Sequence, residues 1–344
     1  TMLGASATMA AAGGLERSTF NSALLFEEGD YVELSFGAAS SSVSGTLGPV
    51  ASGDMAKSYA SPGFGYKQQL NDAWSLALII DQPVGADVAY PIAAAYPFAG
   101  STADVDSLAV TGLVKYTTPE NLSFYGGLKA QRLTGTVTIP FFGYSLATDT
   151  DTELGYVLGA AWEKPEIAAR VALTYTSEIT HTLASTENGF STGSFDTTVP
   201  ASLQLDFQTG VAADTLVFGS VRWVEWSEFD VTPPGFFGSF GGPIAAYDSD
   251  YITYSLGVGR RFSEAWSGAI TLTHEPASGD LMRNLGPVDG FNAISVGATY
   301  TRDNMKITGG VRYVMLGDAT TTTIGANFRD NHAIGAGLKI GYSF

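Results

Sequence analysis

Apolar residues recur at every second position through most of this chain, yet no stretch approaches the roughly 18 consecutive apolar residues of a membrane-spanning helix. Clear runs are Leu108, Val110, Gly112, Val114, Tyr116 and Ile167, Ala169, Val171, Leu173, Tyr175. Others are Ile252, Tyr254, Leu256, Val258 and Ile307, Gly309, Val311, Tyr313, Met315. The residues between them are mostly Thr, Ser, Gly, Ala, Lys and Arg. Successive side chains of a strand point to opposite faces, so each run presents one apolar and one more polar face. In a secreted β-sandwich the apolar faces would share a core. So many consecutive two-faced strands are better satisfied by lipid outside and water inside, in a barrel. Composition agrees, with 41 glycines, 12% aromatic residues and only 15% charged ones in 344 residues.

Turn chemistry sets the strand count. Short polar joints stand at Leu70-Asn71-Asp72, Thr118-Pro119-Glu120-Asn121, Lys164-Pro165-Glu166, Ala212-Ala213-Asp214, Ser263-Glu264 and Arg302-Asp303-Asn304. Longer connections fall between them, near residues 41–56, 89–102, 140–148, 187–193, 233–247, 280–289 and 318–330. Short and long connections alternate, which predicts an all-β, transmembrane antiparallel β-barrel of about 14 strands with both termini on the short-turn side. The last residues, Leu338, Ile340, Tyr342 and Phe344, alternate to an aromatic C-terminus, as expected of a barrel inserted into a bacterial outer membrane. Trp74, Tyr116, Tyr156, Trp162, Trp223, Trp266, Tyr300 and Tyr342 suit the interfacial girdles.

The chain has no cysteine, which excludes thiol chemistry and disulfides, and its net charge of −17 argues against nucleic acid. Small apolar residues ending in Ala10-Ala11-Ala12 resemble the tail of a signal peptide. The expected organisation is therefore a signal remnant at 1–12, a short plug segment at 13–30 and the barrel at 31–344.

Several segments resemble the FadL/TodX family of outer-membrane hydrophobic-compound transporters. Phe20-Asn21-Ser22-Ala23-Leu24-Leu25 is similar to the Phe-Asn-Pro-Ala-Gly-Leu that ends the family's N-terminal plug, with Ser22 and Leu24 in place of its Pro and Gly. Pro62-Gly63-Phe64-Gly65-Tyr66 and Leu70-Asn71-Asp72-Ala73-Trp74-Ser75 resemble its second strand and turn. Gln82-Pro83-Val84-Gly85 is similar to its Pro-Phe-Gly stretch of strand three. Val171 to His181 resembles the strand carrying Tyr-Arg-Ser, and Val221-Arg222-Trp223-Val224-Glu225-Trp226-Ser227 its Trp-x-x-Trp-Ser strand. The resemblance runs in order over residues 18 to 344. It implies a plugged 14-stranded barrel admitting long-chain fatty acids or aromatic hydrocarbons by diffusion, with Phe20, Asn21 and Ala23 in the plug. The segment before Tyr31 is shorter than a typical plug.

The residues add their own reading of transport. Three predicted loops are apolar where those of a sugar or ion porin would be polar: Tyr90 to Phe98, Ile139 to Tyr144 and Pro233 to Phe240. Exposed apolar patches mark binding, so Tyr96, Phe98, Phe141, Phe142, Phe236, Phe237 and Phe240 are candidate capture residues. The same loops can instead pack on one another as a lid. Pro83 and Gly85 interrupt strand three, since proline brings no ladder N–H and glycine weakens pairing. They predict either a kink with a lateral gap or a strand that simply ends at the rim. Parity puts Lys115, Lys129, Arg170, Arg222, Lys306, Arg312 and Lys339 on the lumen side. Lys129, Arg170 and Arg222 are the candidate partners of a carboxylate ligand, unless lumen acids such as Glu33, Glu153, Asp206 and Glu178 already pair with them.

His181, His274 and His332 lie far apart, and no catalytic triad, zinc spacing or phosphate loop is present. The function expected is therefore non-enzymatic: passive uptake of hydrophobic compounds, foremost long-chain fatty acids, by an outer-membrane monomer of a Gram-negative bacterium. Its expected contacts are that solute and outer-membrane lipid, with no cofactor and no metal. The alternative is a general-diffusion porin or a structural barrel.

Overall fold

In the computed structural model, which describes residues 15–92 and 95–344, the alternating runs form one closed antiparallel barrel of 14 strands. The expected signal remnant lies outside the described residues. The strands are β1 (Tyr31–Ser42), β2 (Tyr59–Gln69), β3 (Trp74–Asp81, resuming as Gly85–Ala89), β4 (Thr102–Thr117) and β5 (Leu122–Ile139). Next come β6 (Tyr144–Thr148 and Asp151–Lys164), β7 (Ala169–Thr176 and Ile179–Glu187), β8 (Phe190–Val199 and Ser202–Ala212) and β9 (Thr215–Val224). The last five are β10 (Tyr251–Arg261), β11 (Trp266–Glu275), β12 (Phe291–Arg302), β13 (Met305–Leu316) and β14 (His332–Ser343). Each strand pairs with its sequence neighbours, and β14 returns to β1 from Tyr31↔Ser343 to Ser42↔His332. The ring of strands closes on itself, as a strand-built wall in lipid requires.

The predicted joints all appear as tight turns at one end. Asn121, Asp214 and Asp303 take positive φ there (60°, 56° and 51°), a region short Asx side chains tolerate. The opposite end carries the long connections, with two departures from the sequence reading. Residues 144–148 extend β6, so the β5–β6 joint shrinks to a single 3-10 turn, Pro140–Phe142. The connection expected at 187–193 is a two-residue hairpin at Asn188 (φ 51°) and Gly189 (φ 83°), the left-handed pair that matches strand twist. Both pairs of strands therefore project beyond the rest of the barrel.

The outer surface carries an exposed apolar belt, including Leu78, Val114, Leu158, Leu173, Leu256, Leu272, Val311 and Leu338. Near the short-turn end it is edged by ring pairs, Trp74 with Tyr116 (4.8 Å) and Trp266 with Tyr300 (5.0 Å). The lumen is filled at two levels. Below, residues 15–30 run inside the barrel and bury Leu24 and Leu25 against Ile79, Leu113, Tyr125 and Val157. Above, the long connections fold over the mouth, where Gly45–Leu47, Val50–Ala51, Ala319–Thr320 and Asn327–Phe328 form a small four-stranded sheet.

Candidate solute path and its closures

Strand β3 breaks where its sequence forbids a continuous ladder. Pro83 has no N–H, and β2–β3 pairing stops at Phe64↔Ile80. Gly85–Ala89 then pairs with β4, from Gly85↔Asp106 to Ala89↔Thr102, while its other edge meets the stretch before β2, with Ala89 N–H donating to the Met55 carbonyl (2.8 Å) and Lys57 N–H to that of Asp87 (3.2 Å). The N-terminal segment takes up the freed backbone groups: Gly85 N–H donates to the Leu15 carbonyl (2.8 Å) and Arg17 N–H to that of Pro83 (2.9 Å). Arg17 also pairs with Asp87 and lies over the Tyr59 ring at 4.0 Å. Its side chain occupies the space a Cβ at position 85 would need, which accounts for glycine there. The β2–β3 ladder is thus interrupted between Ile80 and Asp87, and Leu15 to Arg17 cover the interruption from inside.

The same segment is moored to well-separated parts of the wall. Glu16 pairs with Arg222 of β9 (2.6 Å), Glu27 with Lys306 of β13 (2.6 Å), and Ser18 donates to Asp81 of β3 (2.6 Å). Asn21 caps the 3-10 turn Ser22–Phe26 by accepting from Ala23 N–H, and its amide reaches Glu33. Phe20 packs beside Leu24 and Leu25. These three residues, read from sequence as part of a plug, therefore sit in the lower lumen.

The lumen cations are engaged with the protein itself. Arg222 is held by Glu16, and Arg170 stacks on Phe26 at 4.4 Å. Lys129 is buried near Asp81 and Glu16. Lys339 pairs with Glu33 as expected (3.3 Å), and Asp206 accepts from Ser22 and Gln204. Glu153 and Glu178 are instead solvent-exposed and outside this network.

Above the segment lies an apolar cavity of about 90 Å³ lined by Leu15, Val84, Leu133, Leu183, Phe195, Phe229, Ile244, Tyr247 and Leu285, among others. None of Lys129, Arg170 and Arg222 lines it. The cation at its wall is Arg283, whose Nε meets no hydrogen-bond partner among the described residues and whose nearest acid is Asp248 at 4.0 Å. A larger cavity of about 220 Å³ lies between the segment and β9–β13, and its wall mixes hydroxyls such as Thr253, Ser255, Thr271 and Thr273 with apolar groups such as Phe218, Phe291 and Val311.

The three apolar loops meet over the mouth. Phe98 contacts Phe141 (5.5 Å) and Phe142 (6.0 Å), and Phe142 contacts Phe236 (5.7 Å) and Phe240 (4.5 Å). Tyr96 stacks on Tyr90 at 5.5 Å. Tyr96, Phe98 and Phe236 are buried in this cluster, while Phe141, Phe237 and Phe240 keep about half of their surface exposed. The loops therefore form a lid with an outward-facing aromatic rim. A residue unforeseen in the sequence holds it. Glu187, at the tip of the projecting β7–β8 hairpin, accepts from Tyr144 Oη (2.7 Å) and Thr192 Oγ1 (2.6 Å). It also accepts from the N–H groups of Gly235 (2.8 Å) and Phe236 (2.7 Å) at the start of the helix α1 (Pro234–Phe240). Burial alone would raise this carboxyl, but those four hydrogen bonds outweigh it and hold Glu187 below the usual carboxylate range.

Comparison with known proteins settles what such a barrel is. The family described as outer membrane protein transport protein (OMPP1/FadL/TodX) matches residues 10–344. The chain belongs to this family. The OMPP1/FadL/TodX fold is borne out in solved structures. A Pseudomonas aeruginosa FadL homologue superposes with a TM-score of 0.74 at 15% identity, covering 94% of this chain and 92% of its own. The Pseudomonas putida toluene transporter TodX gives 0.69 at 12% identity, covering 98% and 96%. The Ralstonia pickettii toluene transporter TbuX gives 0.64 at 13%, covering 93% and 91%. No curated protein sequence shows a significant match. As a FadL/TodX barrel the protein lies in the outer membrane of a Gram-negative bacterium as a channel for hydrophobic compounds, with its short turns in the periplasm and its lid outside.

Proposed function

We propose that the channel takes up small, uncharged hydrophobic molecules, of the size of a single aromatic ring, from the outside. In this reading the exposed Phe141, Phe237 and Phe240 capture the solute, the apolar cavity holds it, and residues 15–30 act as a plug that denies it a straight aqueous path. The gap between β2 and β3, at Pro83 and Gly85, is its lateral exit into the bilayer once Arg17 moves. The observation that carries this reading is the apolar cavity beneath the lid. An engineered apolar cavity of roughly 150 Å³ holds benzene, so this one, at about 90 Å³, has to widen by a shift of the lid or of the segment beneath it to admit a ring. Here the lining is overwhelmingly apolar, and Lys129, Arg170 and Arg222 all lie elsewhere.

One specific observation favours a second reading, long-chain fatty acids. Arg283 lies at the cavity wall with its Nε unpartnered among the described residues, so a carboxylate could settle there with the chain in the cavity. One experiment separates the two. Cells lacking their own transporter are given labelled toluene or labelled oleate, with the wild-type barrel, Leu183→Trp or Arg283→Gln. Leu183→Trp fills the cavity and abolishes uptake of either solute; unchanged uptake in it removes the cavity from the path. Arg283→Gln spares toluene uptake, and a large loss of oleate uptake in that variant establishes the fatty-acid reading. A persistent ion conductance in planar bilayers without either uptake would mark a general-diffusion pore.

A further inference from the structure

The wall has a second discontinuity, on the side away from β3. Strands β6 and β7 pair regularly from Lys164↔Ala169 to Val157↔Thr176, and again from Thr148↔Ser185 to Leu146↔Glu187. Between these stretches residues 149–156 and 177–184 form no ladder, although the same number of residues intervenes on each strand. The strands have parted without slipping register. Backbone bonds cross at the two ends, from Ser177 N–H to the Tyr156 carbonyl (2.9 Å) and from Asp149 N–H to that of Ala184 (3.0 Å). The result is an eye-shaped slit.

Its causes are local. Against β5, strand β6 gains one residue between Leu133↔Asp151 and Thr136↔Ala147, a bulge that turns its outer half. Strands β7 and β8 part together at residues 177–178 and 200–201, where Pro200 brings no N–H to the ladder. A row of unpaired backbone groups is untenable in the hydrocarbon core, so this slit must serve or be tolerated at the membrane's edge. Its lower lip carries the exposed Leu154 and Tyr156, with Tyr156 beside Tyr175 (5.9 Å), whereas its upper part exposes Thr180 and Thr182. The slit therefore straddles the outer boundary of the apolar belt.

Directly behind it lies the apolar cavity, to which Thr148 and Leu183 of the two parted strands contribute, together with Leu133 and Phe195. Side chains span the opening: His181 Nδ1 meets Asp151 Oδ2 at 3.0 Å, Ser177 Oγ accepts from Tyr156 N–H (2.9 Å) at the lower end, and Ile179 lies against Gly155. His181 is wholly buried. Its Nε2, and both amide atoms of Gln131 on β5, meet no hydrogen-bond partner among the described residues. The inner sill of the slit thus holds polar atoms still able to pair, beside an apolar chamber.

We propose that this slit is a second side door, through which hydrophobic solutes pass between the cavity and the outer leaflet, with the His181–Asp151 bridge as its bar. The inference rests on the channel reading above. It makes the cavity a junction with two lateral routes, one at β2–β3 and one at β6–β7, and lets membrane-dissolved solute bypass the lid.

The chain has no native cysteine, so the slit can be tested by closing it. Thr152→Cys with Thr180→Cys places two thiols on exposed, outward-facing positions of the two lips. A short, reducible methanethiosulfonate cross-linker then ties the lips, and Thr182→Cys replaces Thr180→Cys if the first pair assembles poorly. Labelled toluene uptake is expected to fall about twofold on cross-linking, since the β2–β3 route stays open, to recover with dithiothreitol, and to be unaffected in either single variant. Toluene binding by the purified, cross-linked barrel should stay within twofold of the untreated protein. Unchanged uptake with the cross-link complete by mass overturns the side door and leaves the channel reading standing. No toluene uptake by the unmodified barrel overturns both.

Discussion

Replacing Glu187 by Ala should detach the lid while leaving the barrel intact. The carboxylate accepts four hydrogen bonds, two of them from the N–H groups of Gly235 and Phe236 that open α1. Hydrogen bonds to a charged group contribute about 1.5–3 kcal/mol each, and a carboxylate at a helix N-terminus adds about 0.3–1 kcal/mol. These are not additive, and water reaches the partners once the helix lifts. A loss of about 3–4 kcal/mol in lid docking is therefore the reasonable sum, or two to three orders of magnitude in the opening equilibrium. Native-state hydrogen exchange reads it directly. The N–H groups of Phe237 and Gly241, bonded to the carbonyls of Pro233 and Phe237, should lose protection by about a hundred- to a thousandfold. Amides of the barrel strands should stay protected. Unchanged exchange at Phe237 and Gly241 would refute the assignment of Glu187 as the fastening, and global loss of protection would show that it supports the wall instead.

The same fastening has a pH signature. Because the folded Glu187 sits below its unfolded value, its contribution is fully present above the ordinary carboxylate range and is lost as pH falls through the folded value. Exchange at Phe237 should thus stay slow at mildly acidic pH and quicken only below that range. Arg17→Ala should free the N-terminal segment from the β3 break, increasing labelling of a cysteine placed at Ser18 by several-fold and leaving the fold unchanged. Pro200→Val restores an N–H to β8 and should narrow the slit, slowing toluene uptake. Equal rates would show that the proline merely accompanies the parting of β7 and β8.

Periodicity and turn residues carried most of the fold, because the wall is built from local rules. Two faces per strand and a breaker at each joint suffice to count strands, and the aromatic C-terminus marks the closing strand. The hairpin at Asn188-Gly189 was equally local, since that dipeptide is a strong turn signal, yet its polar neighbours read as a loop. Pro83 was legible as an interruption of β3, and the same reasoning applies to Pro200. What no local pattern holds is the choice of partners across the lumen. Glu16 meets Arg222 across 206 residues, and Lys306 meets Glu27 across 279. Lys129, Arg170 and Arg222 were placed inward by parity alone, which says nothing of what stands opposite. The burial of Tyr96, Phe98 and Phe236 likewise arises from three distant loops meeting, whereas each loop alone shows only that it is apolar.

The mooring of residues 15–30 bears on how such a barrel is made. A stretch that hydrogen-bonds to β3 from within is placed most directly while the wall is still open, before the first and last strands join. The wall near Pro83 is therefore completed by a part of the chain that precedes the wall itself. Membrane insertion would then run as a wrapping around an inner spindle rather than as the zipping of successive hairpins. A chain deprived of that spindle should stall as an open sheet with its β3 backbone unsatisfied.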